Sequence, residues 1–327
     1  MQRHRPTGFH GACFAALWSL LCGLHPAQAA TACAQRAEAG PLPALQPLGR
    51  QRWWVAAERG EPDAANAGRT VQLLLVGDGA RLWLVGSGPT PAFGAALACA
   101  VRWTLHRSVT DIVNTRAAPE LAMGNGAFPG ARLWALPDVA RAMQARCGVC
   151  QARLKDQLGA AGASLQPAAI RAPTRPVGRE GQTTGRLGPF DWLALPRSVP
   201  ERTLVLRLRG ADPLVLAQGL LWVGDVPELR GSRADLLLAS WRALRDWAAG
   251  SPLLGEQGGF GHARDIDAHI DYLQALQAAT EAALARGDLW GASPLDLPAW
   301  QPLPGYALRH PLNVQHLWLA LEPTIFR

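Results

Sequence analysis

The sequence predicts an α/β protein with two β-rich halves and helices on their outer faces. Short runs rich in Val, Leu and Trp, separated by turns, open each half. Segments of helical spacing follow them. The order is strands, helix, strand, helix, then strands, helix, loop, helix, and each half must cover its apolar sheet with something.

In the first half, strands are expected over residues 53–57, 70–76 and 81–85, with Gly77-Asp78-Gly79 as a turn. Residues 91–105 read as a helix. Thr90 suits the N-cap, and Pro91 suits the first helical position, where its preset φ helps and its missing N–H costs nothing. Ile112 and Val113 end a short buried strand, and 132–135 is another. A helix runs from Asp138 towards Leu158, with Val139, Met143 and Leu154 near helical spacing. Residues 160–188, rich in Gly, Pro and Arg and without periodicity, are expected mostly on the surface, because a buried structureless segment would strand backbone polar groups. Strands resume at 203–208, 214–217 and 220–223. A helix over 233–249 takes Ser232 as its N-cap. Pro252-Leu253-Leu254 leads into a glycine-rich loop, 255–261. An amphipathic helix follows over 265–286, with Ile266, Ile270, Leu273 and Leu284 on one face and Leu276 at its edge. Residues 314–321 form a last apolar segment.

The chain has 327 residues, 49% hydrophobic and 17% charged, which excludes a disordered protein. The formal charge is +7, and Lys155 is the only lysine. The arginines are scattered and form no stripe, so no nucleic-acid partner is expected. The N-terminus has the three parts of a signal peptide over 1–29: Arg3 and Arg5, an apolar run over 11–24, and the small-x-small site Ala27-Gln28-Ala29. This predicts a periplasmic or secreted protein, with 30–47 as a flexible lead-in and 48–327 as the domain. No later segment is long and apolar enough for a transmembrane helix. Cleavage leaves Cys33, Cys99, Cys147 and Cys150 in a compartment that permits disulfides. A lipid anchor at Cys33 follows the small residues Ala30-Thr31-Ala32, but the Leu usual three residues before such a Cys is absent.

The densest information lies in Asn114-Thr115-Arg116-Ala117-Ala118-Pro119-Glu120-Leu121-Ala122-Met123-Gly124-Asn125. It resembles the zinc-binding signature of the metallo-β-lactamase superfamily, Asn-Thr-His-x-His-Pro-Asp-His-x-x-Gly-Asn. Asn114, Thr115, Pro119, Gly124 and Asn125 keep the frame. Arg116, Ala118, Glu120 and Leu121 stand where the family has its ligands. The resemblance implies an αββα metallo-β-lactamase-like sandwich and a dinuclear zinc site, where metal lowers the pKa of bound water to about 7. Here Arg116 cannot ligate, since a guanidinium has no acceptor, and Ala118 and Leu121 have no donor atoms. Gly86-Ser87-Gly88 replaces the family turn Asp-Thr-Gly. A later family His should fall near Arg209-Gly210-Ala211-Asp212, where there is none. Leu221-Trp222-Val223-Gly224-Asp225 keeps the bridging Asp, and the last His position falls on Gln257 or, with a shift of one, Glu256.

Other pieces resemble the metallohydrolase-like proteins that accompany periplasmic quinoprotein dehydrogenases: Gly124-Asn125-Gly126-Ala127-Phe128, Arg146-Cys147-Gly148-Val149-Cys150, Pro227-Glu228-Leu229 and His310-Pro311-Leu312-Asn313-Val314-Gln315. The resemblance, with its ligands missing, implies a non-catalytic binding or accessory protein. No zinc cofactor is expected. Its partner would be a small anionic ligand or a periplasmic protein, and the ligand-binding candidates are Arg116, Glu120, Asp225 and Gln257. The alternative is a metal-dependent hydrolase with a rearranged or single-metal site built from Asp225, Glu120 and a His, or metal-free chemistry using Arg116 and Glu120. Arg116 suits a carboxylate or phosphate.

The remaining candidates read as structural. Cys147-x-x-Cys150 lacks a thioredoxin-like βαβ context and is expected to be a disulfide or two packed thiols. Asp265 and His269 share one helix face with His262 upstream, and a solvated face is expected in preference to a metal site. His310 and His316 are expected to pack or hydrogen-bond. Ser87 has no identifiable His and Asp partners, and the glycine-rich loop lacks a phosphate-loop Lys.

Overall fold

The computed structural model describes residues 31, 33–37, 41–166, 170–291 and 295–325. The expected signal segment 1–29 lies outside the described residues. Residues 1–41 and 42–327 are separate units. In the first, residues 33–37 are helical. All that follows concerns the second.

Its first sheet runs β1 (Gln46–Pro47), β2 (Arg52–Val55), β3 (Leu73–Asp78), β4 (Arg81–Val85), β5 (Asp111–Val113), β6 (Arg132–Ala135) and β7 (Arg175–Pro176) in spatial as well as chain order. Pairing is antiparallel up to β4 and parallel from there to β7. Three helices belong to this half: α1 (Pro91–Leu105), the single turn α2 (Pro119–Ala122) and α3 (Pro137–Leu158). The second sheet is β8 (Thr184–Leu187), β9 (Phe190–Pro196), β10 (Arg202–Leu208), β11 (Val215–Leu216), β12 (Leu253–Leu254) and β13 (Phe260–Gly261), in the order β13-β12-β11-β10-β9-β8. It carries α4 (Ala234–Ala248), α5 (Ala263–Ala285) and α6 (Tyr306–Ile325).

The layers follow from strand alternation. Leu74 and Val76 of β3 and Leu204, Leu206 and Leu208 of β10 share one core with Trp83, Phe190 and Trp192 between the sheets. The alternate residues Leu73 and Leu75 turn to the other face and pack with Leu97 and Val101 of α1. Val205 and Val215 do the same beneath Trp241 of α4 and Ile266 and Leu273 of α5. Both faces of each sheet are therefore buried, which is why β3 reads as an unbroken apolar run. Helix, sheet, sheet, helix is the αββα sandwich.

Local signals held where the chemistry is local. Thr90 Oγ1 accepts the Phe93 N–H at 3.0 Å and α1 starts at Pro91, as expected. The described residues of 160–188 lie mostly at the surface, as expected, but other expectations fail. Residues 160–188 contain β7 and β8, strands too short to show alternation, and bury Leu165 and Val177. β9 lies outside the strands expected from the sequence, and its alternate residues Phe190, Trp192 and Ala194 enter the core between the sheets. No strand forms over 220–223. The chain turns there, with Leu220 N–H and Leu221 N–H both bonded to Ala217 O, and only Trp222 pairs, with Gln257. Ser232 is not the N-cap of α4: its hydroxyl donates to Leu229 O, and the cap is Arg233, without a side-chain bond. The face of α5 that carries His269 is not solvated. His269 is buried, its Nε2 accepts the Trp222 N–H at 3.0 Å, and the ring lies 5.5 Å from that of Trp241.

Candidate functional site

The loop after β5 keeps its shape through the frame residues of the motif. Asn125 Nδ2 donates to Asn114 Oδ1 at 2.8 Å and to Arg171 O at 3.0 Å, and Ser87 Oγ donates to Asn125 Oδ1 at 2.8 Å. Thr115 Oγ1 meets Gln218 Oε1 at 2.6 Å, tying the loop to the second sheet's loops. Gly124 must be glycine, because a Cβ there would stand 2.1 Å from Ser87 O. These groups are buried, so each polar member of the frame needs the partner the fold gives it.

The loop lines a cleft of about 720 Å³ together with Glu61, Arg146, Cys150, Arg153, Arg197, Trp222, Glu228, Arg230, Glu256, Gln257 and Arg309. Arg116 and Glu120 both face it. Arg116 Nη2 donates to Glu256 Oε1, whose other oxygen accepts the Gly219 N–H at 2.7 Å. Burial works against the charged form of Arg116. The Glu256 and Glu120 carboxylates more than offset it, so its pKa lies above the ordinary value. Glu120 makes no ion pair among the described residues, and burial raises its pKa in spite of Arg116 nearby.

Asp225 lies just below the cleft wall, its side chain 1% exposed. Its Oδ1 accepts the N–H groups of Val226 (2.8 Å) and Gly305 (2.7 Å). Its Oδ2 accepts Arg309 Nη1 at 2.8 Å, and Arg309 Nη2 donates to Gln257 Oε1 at 2.7 Å. One guanidinium thus joins the two residues expected to be ligands. Asn313, one turn further along α6, holds that helix to the segment after Asp225. It accepts the Leu229 N–H at 3.1 Å and donates to Pro227 O at 2.8 Å.

Of the four expected residues, Arg116, Glu120 and Gln257 line the cleft and Asp225 connects to it through Arg309. Glu256 and Gln257 both take part, on different arginines. Arg209-Gly210-Ala211-Asp212 does not reach the cleft; the loop that does is the one between β9 and β10, and it delivers Arg197. Arg197 and Arg309 were missed. No local pattern marks them, although Arg309 directly precedes the His310-Pro311 segment that carried the resemblance.

The donor set does not suit zinc. Among the described residues no imidazole lines the cleft, and the buried carboxylates Asp225 and Glu256 are each committed to a guanidinium. Among the described residues no three His, Cys, Asp or Glu side chains stand close enough to hold a metal ion. His269 and His310 serve structure. His310 stacks on Tyr306 at 4.2 Å between ring centroids and bonds to Tyr272 Oη at 2.9 Å. His316 Nε2 lies 2.8 Å from Ser232 O. Cys147 and Cys150 are free thiols and not a disulfide; Cys147 is buried, with its pKa pushed up to about 11 by that burial, while Cys150 reaches the cleft.

Solved structures similar to this chain include metallo-β-lactamases. The enzyme from Hirschia baltica superposes with a TM-score of 0.55 at 12% identity, over 71% of this chain and 97% of its own. FIM-1 from Pseudomonas aeruginosa, in a mono-zinc form, gives 0.56 at 13% identity over 71% and 95%. The enzyme from Erythrobacter litoralis gives 0.56 at 13% identity over 72% and 97%. No family model and no curated protein matches the sequence. The chain has the metallo-β-lactamase fold.

Proposed function

We propose that this metallo-β-lactamase-fold chain is an exported binding or accessory protein that works without zinc. The observation that carries the reading is Arg309, whose guanidinium sits between Asp225 and Gln257 and supplies the positive charge that a cation would otherwise bring. Arg116 does the same for Glu256. A guanidinium neutralises a carboxylate, but it has no open coordination position and cannot lower the pKa of a bound water as a metal does. Hydrolysis by metal hydroxide is therefore not the chemistry these residues support, and recognition of an anion is. Export rests on the three-part N-terminus. The sequence pieces quoted above suggest a setting beside a periplasmic quinoprotein dehydrogenase.

Metal analysis of the purified mature protein tests the reading, together with assays on a β-lactam and an activated ester with and without chelator. Substoichiometric metal and no chelator-sensitive hydrolysis are expected. One tightly held zinc per chain, or hydrolysis abolished by chelator, would overturn it in favour of a rearranged or single-metal hydrolase.

A further inference from the structure

Six arginines and four glutamates line the cleft, an excess of two positive charges, or one when Asp225 beneath it is counted. The excess is not spread evenly. Arg116, Arg230 and Arg309 each hold a carboxylate of the cleft or its floor, Arg146 holds Glu201, and Arg153 is exposed to solvent with no ion pair among the described residues. Arg197 has no carboxylate within ion-pair distance among the described residues. Its bonds go to backbone carbonyls, those of Gly219 (3.0 Å), Glu228 (2.8 Å) and Arg230 (3.4 Å). These aim the guanidinium without neutralising it.

Arg197 also stands beside another cation. A Cβ on Gly219 would lie 2.8 Å from Arg116 Nε and 3.4 Å from Arg197 Nη1, so both side chains crowd the same glycine, whose φ is +75°. The Nε–H of each arginine is buried and makes no hydrogen bond. Glu256 neutralises Arg116 from one side, and the like charge of Arg197 beside it leaves the pair of guanidiniums one anion short. Burial and the proximity of Arg116 together lower the pKa of Arg197 to about 10. A second cavity of about 270 Å³ shares both side chains as part of its wall, so the pair can be approached from either space.

We infer that Arg116 and Arg197 together form the receptor for an oxyanion headgroup, a carboxylate or a phosphate, on a small organic ligand. The planar forks of two guanidiniums match either headgroup through paired N–H donors. The cleft volume is that of a small-molecule site, and Pro62, Pro119 and Val149 offer apolar surface for the rest of the ligand. The site rests on the reading that the cleft works without metal, and it names what that cleft recognises.

Calorimetric titration of chelator-treated mature protein at low salt tests it, with phenylacetate and phenyl phosphate as probes and inorganic phosphate as the bare headgroup. At least one probe is expected to bind, and the tighter arm assigns the headgroup. Arg197→Met should weaken binding roughly tenfold or more, the loss expected for a charge-assisted contact. Gly219→Ala keeps every charge but pushes Arg116 aside, and should weaken binding as well. Arg141→Ala removes an exposed arginine paired with Glu180, away from the cleft, and should leave binding unchanged. Circular dichroism confirms that each variant is folded. No binding of any probe by the metal-free protein, or binding that both Arg197→Met and Gly219→Ala leave intact, would overturn the inference. Binding that appears only when zinc is restored would instead overturn the metal-free reading beneath it.

Discussion

Arg309→Met should destabilise the protein by about 3 kcal/mol, because it leaves a buried carboxylate without its cation. Both side chains of the Asp225–Arg309 pair are 1% exposed and their contact is 2.8 Å. Removing one partner of such a pair costs about 3–5 kcal/mol, most of it the penalty of the charge left behind. Two features place this case at the lower end. Asp225 Oδ1 keeps the Val226 and Gly305 N–H groups, and the half-exposed Arg59, now 3.6 Å away, can move closer. Gln257 loses one donor to its Oε1 but keeps the Gly60 N–H at 3.1 Å. The Asp225→Asn, Arg309→Met double variant leaves neither charge of this pair buried, and Asn retains an acceptor for the two backbone donors. It should recover about 2 kcal/mol relative to the sum of the single changes. Equilibrium urea unfolding followed by tryptophan fluorescence reads all four proteins. A single variant within about 1 kcal/mol of wild type, or single effects that simply add, would refute the idea that Arg309 neutralises Asp225.

His269 gives a pH dependence. Burial first, and then the charge of Arg309, lower its pKa from 6.5 to about 3. The unfolded chain thus binds a proton that the folded one refuses, and stability is lost as pH falls through that window, by about 1.4 kcal/mol per pH unit from this group. His269→Gln, which keeps an acceptor for the Trp222 N–H, should lose that part of the slope in unfolding measurements between pH 6 and pH 4; an unchanged slope would remove His269 from the account. Gly124→Ala should cost roughly 2 kcal/mol or more, as an overpacked site does, since the new Cβ would meet Ser87 O at 2.1 Å and the Gly94 Cα at 3.1 Å; a variant with the wild-type thermal midpoint would contradict this packing. Iodoacetamide should label Cys150 in the folded protein well before the buried Cys147, and an anion that fills the cleft should slow the labelling, as read by peptide mass spectrometry; equal rates at the two thiols would refute the assignment.

The sequence alone determined what rests on neighbours along the chain. Thr90 and Pro91 start α1 because a cap and a preset φ act within one turn. Asn114 and Asn125 could be read as the ends of one loop because they bond to each other within the twelve residues, whereas Thr115 and Gly124 meet Gln218 and Ser87 from elsewhere in the chain. That Arg116, Ala118 and Leu121 cannot themselves be zinc ligands was also legible, since a side chain without a lone-pair donor cannot acquire one by folding. Only the tertiary structure decided where the positive charge of the cleft comes from. Arg116 meets Glu256 across 140 residues, Arg309 meets Asp225 across 84, and Arg197 comes in from the β9–β10 loop. The same holds for His269, whose helical position was legible but whose burial depends on Trp222 and Trp241 arriving from other elements. An arginine in a sequence has the same charge wherever it stands. Whether that charge is solvated, spent on a carboxylate or left for a ligand depends on what the fold packs around it.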